Sequence, residues 1–236
     1  MKIEVHVWDW PLRLFHWLLV LSVVGAYTTG TLGGEWTDWH GRFGSLVLGL
    51  VIFRFVWGFI GSTHARFVSF FPTFSRLAAY VKGEWNGVGH NPIGALAVFA
   101  LLTTLLFLVG TGLFANDDIA FEGPLFHLIT KDFSDKLSGF HIRSVNVLLI
   151  LIGIHVAAIL FYQHVKKADL LKPMLTGKKQ LPRSLASSSA ASVGALRFAF
   201  SLLLAVTVVW SVWGGDPLKY LAPLAGIPTA QASAKS

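Results

Sequence analysis

Five apolar stretches, each close to the length that crosses a bilayer, alternate with polar connections along this chain. About 20 apolar residues rising 1.5 Å each span a hydrocarbon core of about 30 Å. The runs extend from about Leu14 to Leu32, Phe43 to Ile60 with Arg54 inside it, Ile93 to Phe114, Val145 to Tyr162 with a polar lead-in from Leu137, and Ala195 to Trp213. Trp10, Trp17, Trp57, Tyr162, Trp210 and Trp213 lie near run ends, where amphipathic rings anchor at the interface. The pattern predicts an all-α integral membrane helix bundle, a four-helix core with a fifth transmembrane helix appended.

Composition sharpens that reading. Of 236 residues 54% are hydrophobic and 13% charged, with a mean hydropathy of +0.63. Helices buried in a large soluble protein would need many more charges to cover their outside. The absence of cysteine excludes disulfides, zinc–thiolate sites, iron–sulfur clusters, thiol nucleophiles and thioether-linked c-type haem. The net charge of +7 is spread between apolar blocks without a basic stripe carrying stacking aromatics, so nucleic acid is not an expected partner.

The same charges order the connections. The second holds Arg66, Arg76 and Lys82 against Glu84, and the fourth holds Lys166, Lys167, Lys172, Lys178, Lys179 and Arg183 against Asp169. Short loops rich in Lys and Arg stay cytoplasmic. The third holds Asp117, Asp118, Glu122, Asp132 and Asp135 against Lys131 and Lys136, and the first has Glu35 and Asp38 before Arg42. The expected topology places the N-terminus in the cytoplasm and the C-terminus in the periplasm, with no cleavable signal peptide. The expected organisation is a core over 1–183, a Ser/Ala-rich flexible linker over 184–193, a fifth membrane helix over 194–214 and a periplasmic tail over 215–236, disordered after Pro228.

Ionisable side chains are costly inside a bilayer, which makes the nine histidines the candidates for chemistry. His141 and His155 are 14 residues apart on the fourth helix. At 100° per residue that spacing returns to within about 40° of one face, some 21 Å along the axis. One metal ion cannot bridge it, whereas two cofactors stacked across the membrane can use it. His40 begins the second helix at the level of His141, and His16 lies in the first helix at the level of His155. Two His pairs, one near each surface and lacking carboxylate or thiolate, describe two bis-imidazole haem b sites, with His16, His40, His141 and His155 as iron ligands.

Other readings of the same residues are a hydrogen-bonded core histidine, a zinc site and a proton relay. Zinc sites want a third protein ligand, and no HExxH or HxxxH is present; relays are accompanied by Asp or Glu inside the spans, and none occurs. His164, nine residues past His155, falls on the opposite helix face. His6, His64, His90 and His127 are expected in solvated or capping positions, with His6 or His64 able to replace His16 if the first helix starts elsewhere. Arg143, beside His141, and Arg54 are candidate partners for haem propionates, the alternative being contact with lipid phosphate. Gly25, Gly44, Gly49, Gly110, Gly112 and Gly153 admit either a flat macrocycle or close helix contact.

Several blocks carry a family likeness. VHVWDWPLRLFHW, GHNPIGAL, GLFANDD, HIRSVNVLLILIGIH and LLKPMLTGKK resemble the bacterial cytochrome b561 and nickel–iron hydrogenase b-type cytochrome superfamily, over about residues 4 to 180. The resemblance implies a dihaem cytochrome b of the bacterial inner membrane that passes electrons between the quinone pool and a redox partner, whether a hydrogenase, a reductase or a c-type cytochrome. It places the ligands on helices one, two and four, matching His16, His40, His141 and His155. Such a protein is an electron-transfer subunit, with quinone as substrate. Asp117, Asp118 and His127 are candidate periplasmic proton acceptors, and their acidic loop is a candidate dock for a cationic cytochrome. Two competing expectations remain: electron transfer from superoxide to quinone within the same superfamily, and a haem-free transporter or scaffold.

Overall fold

The computed structural model describes residues 2–119, 121–182, 189–190 and 194–214. In chain order the elements are β1 (Lys2–His6), α1 (Trp10–Leu32), α2 (Thr37–Ile60), α3 (Phe67–Phe70), α4 (Phe74–Val81), α5 (Pro92–Gly112), α6 (Lys131–His164), α7 (Leu171–Thr176), β2 (Lys178–Pro182) and α8 (Ala195–Val212). Five of these helices, α1, α2, α5, α6 and α8, are long and apolar enough to cross a membrane, as expected. Of the expected linker only Ser189 and Ala190 are described, and the tail over 215–236 lies outside the described residues.

The helices begin earlier than their apolar runs because polar caps start them. Asp9 accepts a hydrogen bond from Leu12 N at 2.8 Å and Pro11 sits in the first turn, so α1 starts at Trp10 rather than Leu14. Asn91 Oδ1 accepts from Gly94 N at 2.6 Å ahead of Pro92, which does the same for α5. The largest extension is in α6, whose 34 residues make it roughly 50 Å long, well beyond the hydrocarbon thickness. Its first turns, carrying Lys131, Asp132 and Asp135, stand outside the apolar layer.

α2 is the centre of the bundle, packing on α1, α5 and α8, while α6 packs closely on α5. Helix contact in a bilayer depends on close approach rather than on hydrophobic expulsion from water. The glycines supply it: a Cβ on Gly58 would lie 2.1 Å from the Phe67 ring, and one on Gly49 would lie 3.2 Å from Val209 of α8. Trp213 Nε1 donates to Ser45 Oγ at 2.8 Å and fixes the far end of α8 to α2. Two apolar layers fill the bundle. One is aromatic, with Phe15, Phe53, Trp57, Phe67 and Phe70; the other is aliphatic, with Val47, Val51, Leu105, Leu108 and Leu148.

One small element departs from the all-α expectation. β1 and β2 form an antiparallel ribbon from Lys2 opposite Pro182 to His6 opposite Lys178, and the N–H groups of Val7 and Trp8 donate to Gly177 O at 2.8 and 3.1 Å. Gly177 has φ +82°, and a Cβ there would lie 2.6 Å from Trp8 O, so this junction requires glycine. The ribbon ties the N-terminus to the chain that follows α6. Both therefore occupy one end of the bundle, called basal below; the connections α1–α2 and α5–α6 form the distal end.

Candidate functional site

At the distal end α2 and α6 present imidazoles to each other. The ring centroids of His40 and His141 are 5.9 Å apart and their planes are 88° to one another. Each ring is oriented by a neighbouring helix: His40 Nδ1 lies 2.8 Å from Ala26 O of α1, and His141 Nδ1 lies 2.9 Å from Leu108 O of α5. A carbonyl only accepts, so each Nδ1 carries the proton and each Nε2 keeps its lone pair. That is the tautomer a metal-ligating histidine needs, with its second nitrogen held by a backbone acceptor.

Glycines make room for both rings. A Cβ on Gly30 would lie 2.7 Å from His40 Nδ1, and one on Gly112 would lie 3.1 Å from His141 Cε1. Gly112 is among the glycines the sequence points to; Gly30 is not, because nothing local in α1 shows that a histidine from α2 presses against it. Two imidazoles on opposite sides of one metal atom, each about 2 Å away, hold their facing nitrogens about 4 Å apart. Centroids at 5.9 Å are close to that spacing once each ring's own radius of about 1 Å is counted, so the two residues would hold haem iron. Of the 34 residues of α6 only Ser134 and Leu148 are buried.

The basal histidines are arranged more loosely. His16 and His155 lie within electrostatic reach of one another, and His16 Nδ1 is shut off from solvent without a hydrogen-bond partner. His16 is set edge-on to Trp17, whose Nε1 donates to Met174 O at 3.3 Å. Leu148, seven residues from each α6 histidine, packs in the aliphatic layer and separates the two levels.

The remaining candidates divide clearly. His6 is exposed in β1, outside the bundle, so it does not substitute for His16. His127 and His164 are exposed, the latter with Nδ1 3.0 Å from Leu160 O of its own helix. Arg143 is exposed, its guanidinium lying alongside Gly139 one turn back on α6. Arg54, by contrast, is 2% exposed. The expectation of a solvated or capping His90 is overturned: its ring is wedged against Trp8 and Phe70, with centroids 4.6 Å from each. Burial, reinforced by the charges of Arg54, His64 and His155, holds it down to about 3, so it is neutral at physiological pH. A polar glycine-rich segment reads as solvated, but GVGHNP folds back beneath the bundle.

The acidic distal loop is partly neutralised from within. Lys131 pairs with Asp118 and, at 3.0 Å, with Asp135, while Asp117 Oδ1 accepts from the N–H groups of Ile119 and Phe121. These contacts shape the loop and reduce the charge it offers to a docking protein.

Comparison with known proteins agrees with this architecture. A 26% identical relative from Azotobacter vinelandii, "Probable Ni/Fe-hydrogenase B-type cytochrome subunit", aligns over 73% of this chain and 87% of its own length. One of the same description from Rhizobium leguminosarum bv. viciae is 23% identical over 75% of this chain and 89% of its own. The "Probable Ni/Fe-hydrogenase 1 B-type cytochrome subunit" of Escherichia coli K12 is 24% identical over 45% and 58%. No solved structure matches. The model of prokaryotic cytochrome b561 matches residues 7–177, which takes in α1, α2, α5 and α6 together with all four histidines set at two levels. The chain therefore belongs to the prokaryotic cytochrome b561 family, as a bacterial membrane b-type cytochrome of electron transport that carries haem b.

Proposed function

We propose that this chain is a dihaem electron relay. His40 and His141 hold a distal haem b, His16 and His155 hold a basal one, and electrons pass between the quinone pool and a partner protein of the hydrogenase type. The relatives' descriptions as hydrogenase cytochrome subunits favour that partner. The observation that carries the reading is the His40–His141 pair, with both Nδ1 protons committed to backbone carbonyls and both Nε2 lone pairs available. When bound, each haem supplies one-electron exchange between ferric and ferrous iron.

The chain's own work is to hold and insulate. Two helices grip each haem, the Ala26 and Leu108 carbonyls keep the distal imidazoles in the ligating tautomer, and the layer around Leu148 keeps the levels apart. Arg54 and Arg143 serve as counter-charges to haem propionates, Arg54 from a buried position and Arg143 from an exposed one. Residues 1–183 form the haem-bearing core, 184–193 the linker, 194–214 the added fifth helix and 215–236 the tail.

Reduced-minus-oxidised spectra of the purified protein test the proposal. A b-type α-band with two haems per chain is expected. Protein from haem-replete membranes without that band overturns it, and a single haem per chain overturns the dihaem assignment.

The basal end carries the Lys- and Arg-rich connections, so we place it in the cytoplasm with the N-terminus, and the distal end with the C-terminus in the periplasm. Alkaline phosphatase fused at the C-terminus is expected to be active, whereas a fusion within the connection holding Arg66, Arg76 and Lys82 is expected to be inactive. The reverse result inverts the topology.

A further inference from the structure

Among the described residues Arg54 is the only fully buried Lys, Arg, Asp or Glu, and its guanidinium lacks an anion. Both terminal nitrogens are closed to solvent and neither has a hydrogen-bond partner. The ring of Phe67 lies 4.6 Å from its Cζ and that of Phe70 6.0 Å. Aromatic faces attract a cation but leave its N–H donors unmet. Asp9 is the carboxylate whose charge acts on Arg54, yet the two form no ion pair, and the Asp9 oxygens already accept from Leu12 N and from Trp57 Nε1 at 3.0 Å. A buried cation without a counter-charge is destabilising, so the Arg54 guanidinium calls for a negative group.

Depth says which one. Arg54 follows His40 by 14 residues on α2, as His155 follows His141 on α6. It therefore lies on the His40 face and, some 21 Å further down the axis, at the level of His155. Phe70 links it to a second unsatisfied group: the same ring that approaches Arg54 packs against His90, whose Nδ1 is likewise closed off and unpartnered. His90 is also within electrostatic reach of Arg54 and His155. One anion placed among them would satisfy both donors, and a haem at this level brings carboxylates with it.

We infer that Arg54 and His90 together clamp a propionate carboxylate of the basal haem, and that the Arg54 charge sets that haem's reduction potential above the value it would otherwise have. The inference rests on the dihaem reading and adds His90 to it. The ferric haem carries one positive charge more than the ferrous form, so a fixed cation in a low-dielectric site favours reduction. His90 contributes a neutral hydrogen bond and positions the carboxylate against the guanidinium.

Redox titration of the purified full-length holoprotein at about pH 9, well above the usual carboxyl range, reads both effects. In Arg54→Gln the haem that persists in His141→Ala is expected to lose at least tenfold in its reduction equilibrium, about 59 mV for one electron, or to leave the protein while the other haem stays. Arg54→Lys keeps the charge and should retain most of the potential. His90→Phe should shift the same component in the same direction by less, and His90→Asn, which keeps a donor, should restore it. Unmoved potentials in Arg54→Gln and His90→Phe, or equal shifts of both haems, overturn the clamp; the first is also the result expected if a quinone headgroup occupies the pocket. Wild-type protein lacking a second haem overturns the dihaem reading and the clamp with it.

Discussion

Replacing His141 with Ala is expected to remove one of the two proposed haems and leave the other, so that the haem-to-protein ratio falls by about half, and His40→Ala is expected to give the same product. The two substitutions act on different helices separated by 101 residues of sequence, yet each deletes one of two imidazoles facing the same slot at 5.9 Å. His16→Ala and His155→Ala should remove the complementary component. The check is a haemochromogen assay on purified protein combined with reduced-minus-oxidised spectra: the component that survives must be the same within a pair and different between pairs. His6→Ala, His127→Ala and His164→Ala are the controls, since all three side chains are exposed and none belongs to either pair. If His40→Ala and His141→Ala strip different components, the proposed pairing fails even though both residues bind haem.

The proposed pairing is legible in the sequence only as far as depth in a membrane is. Apolar runs measure height directly, so the sequence alone sorts the four histidines into two levels. Height does not give direction around the helix axis. The structure sets the His40 and His141 rings 5.9 Å apart, while at the basal level it brings His16 and His155 within electrostatic reach. Polar residues misled more than apolar ones. The starts of α1 and α6 lay outside the apolar runs, because Asp9 and a polar extension from Lys131 continue the helices past the membrane-like segment. The sequence puts His90 in a connection between spans, where a solvated or capping role is expected, and nothing in its neighbours Gly87, Gly89 and Asn91 signals the packing on Trp8 and Phe70. The seating of α8 on α2 was also invisible, depending on small side chains such as Ser45 and Gly49 whose partners lie far along the chain.

Gly30 yields the second large effect, and it tests the geometry rather than the ligands. It lies in the last turns of α1, and a Cβ there would approach His40 Nδ1 to 2.7 Å and Cε1 to 3.0 Å. The helix backbone cannot retreat by that much without disturbing the α1–α2 contact, so the imidazole yields. Turning away, it gives up the hydrogen bond to Ala26 O that selects its tautomer, and with it the aim of Nε2. Gly30→Val is therefore expected to reproduce the spectrum of His40→Ala, with the basal component intact and the protein still present in the membrane. Gly112→Ala, with its nearest contact at 3.1 Å from His141, should weaken the same haem less. Gly44→Val and Gly110→Val, where nothing lies within 4 Å, should keep both components and so separate local crowding from general damage to a helix. An unchanged spectrum in Gly30→Val would mean that His40 does not ligate from the position it holds here.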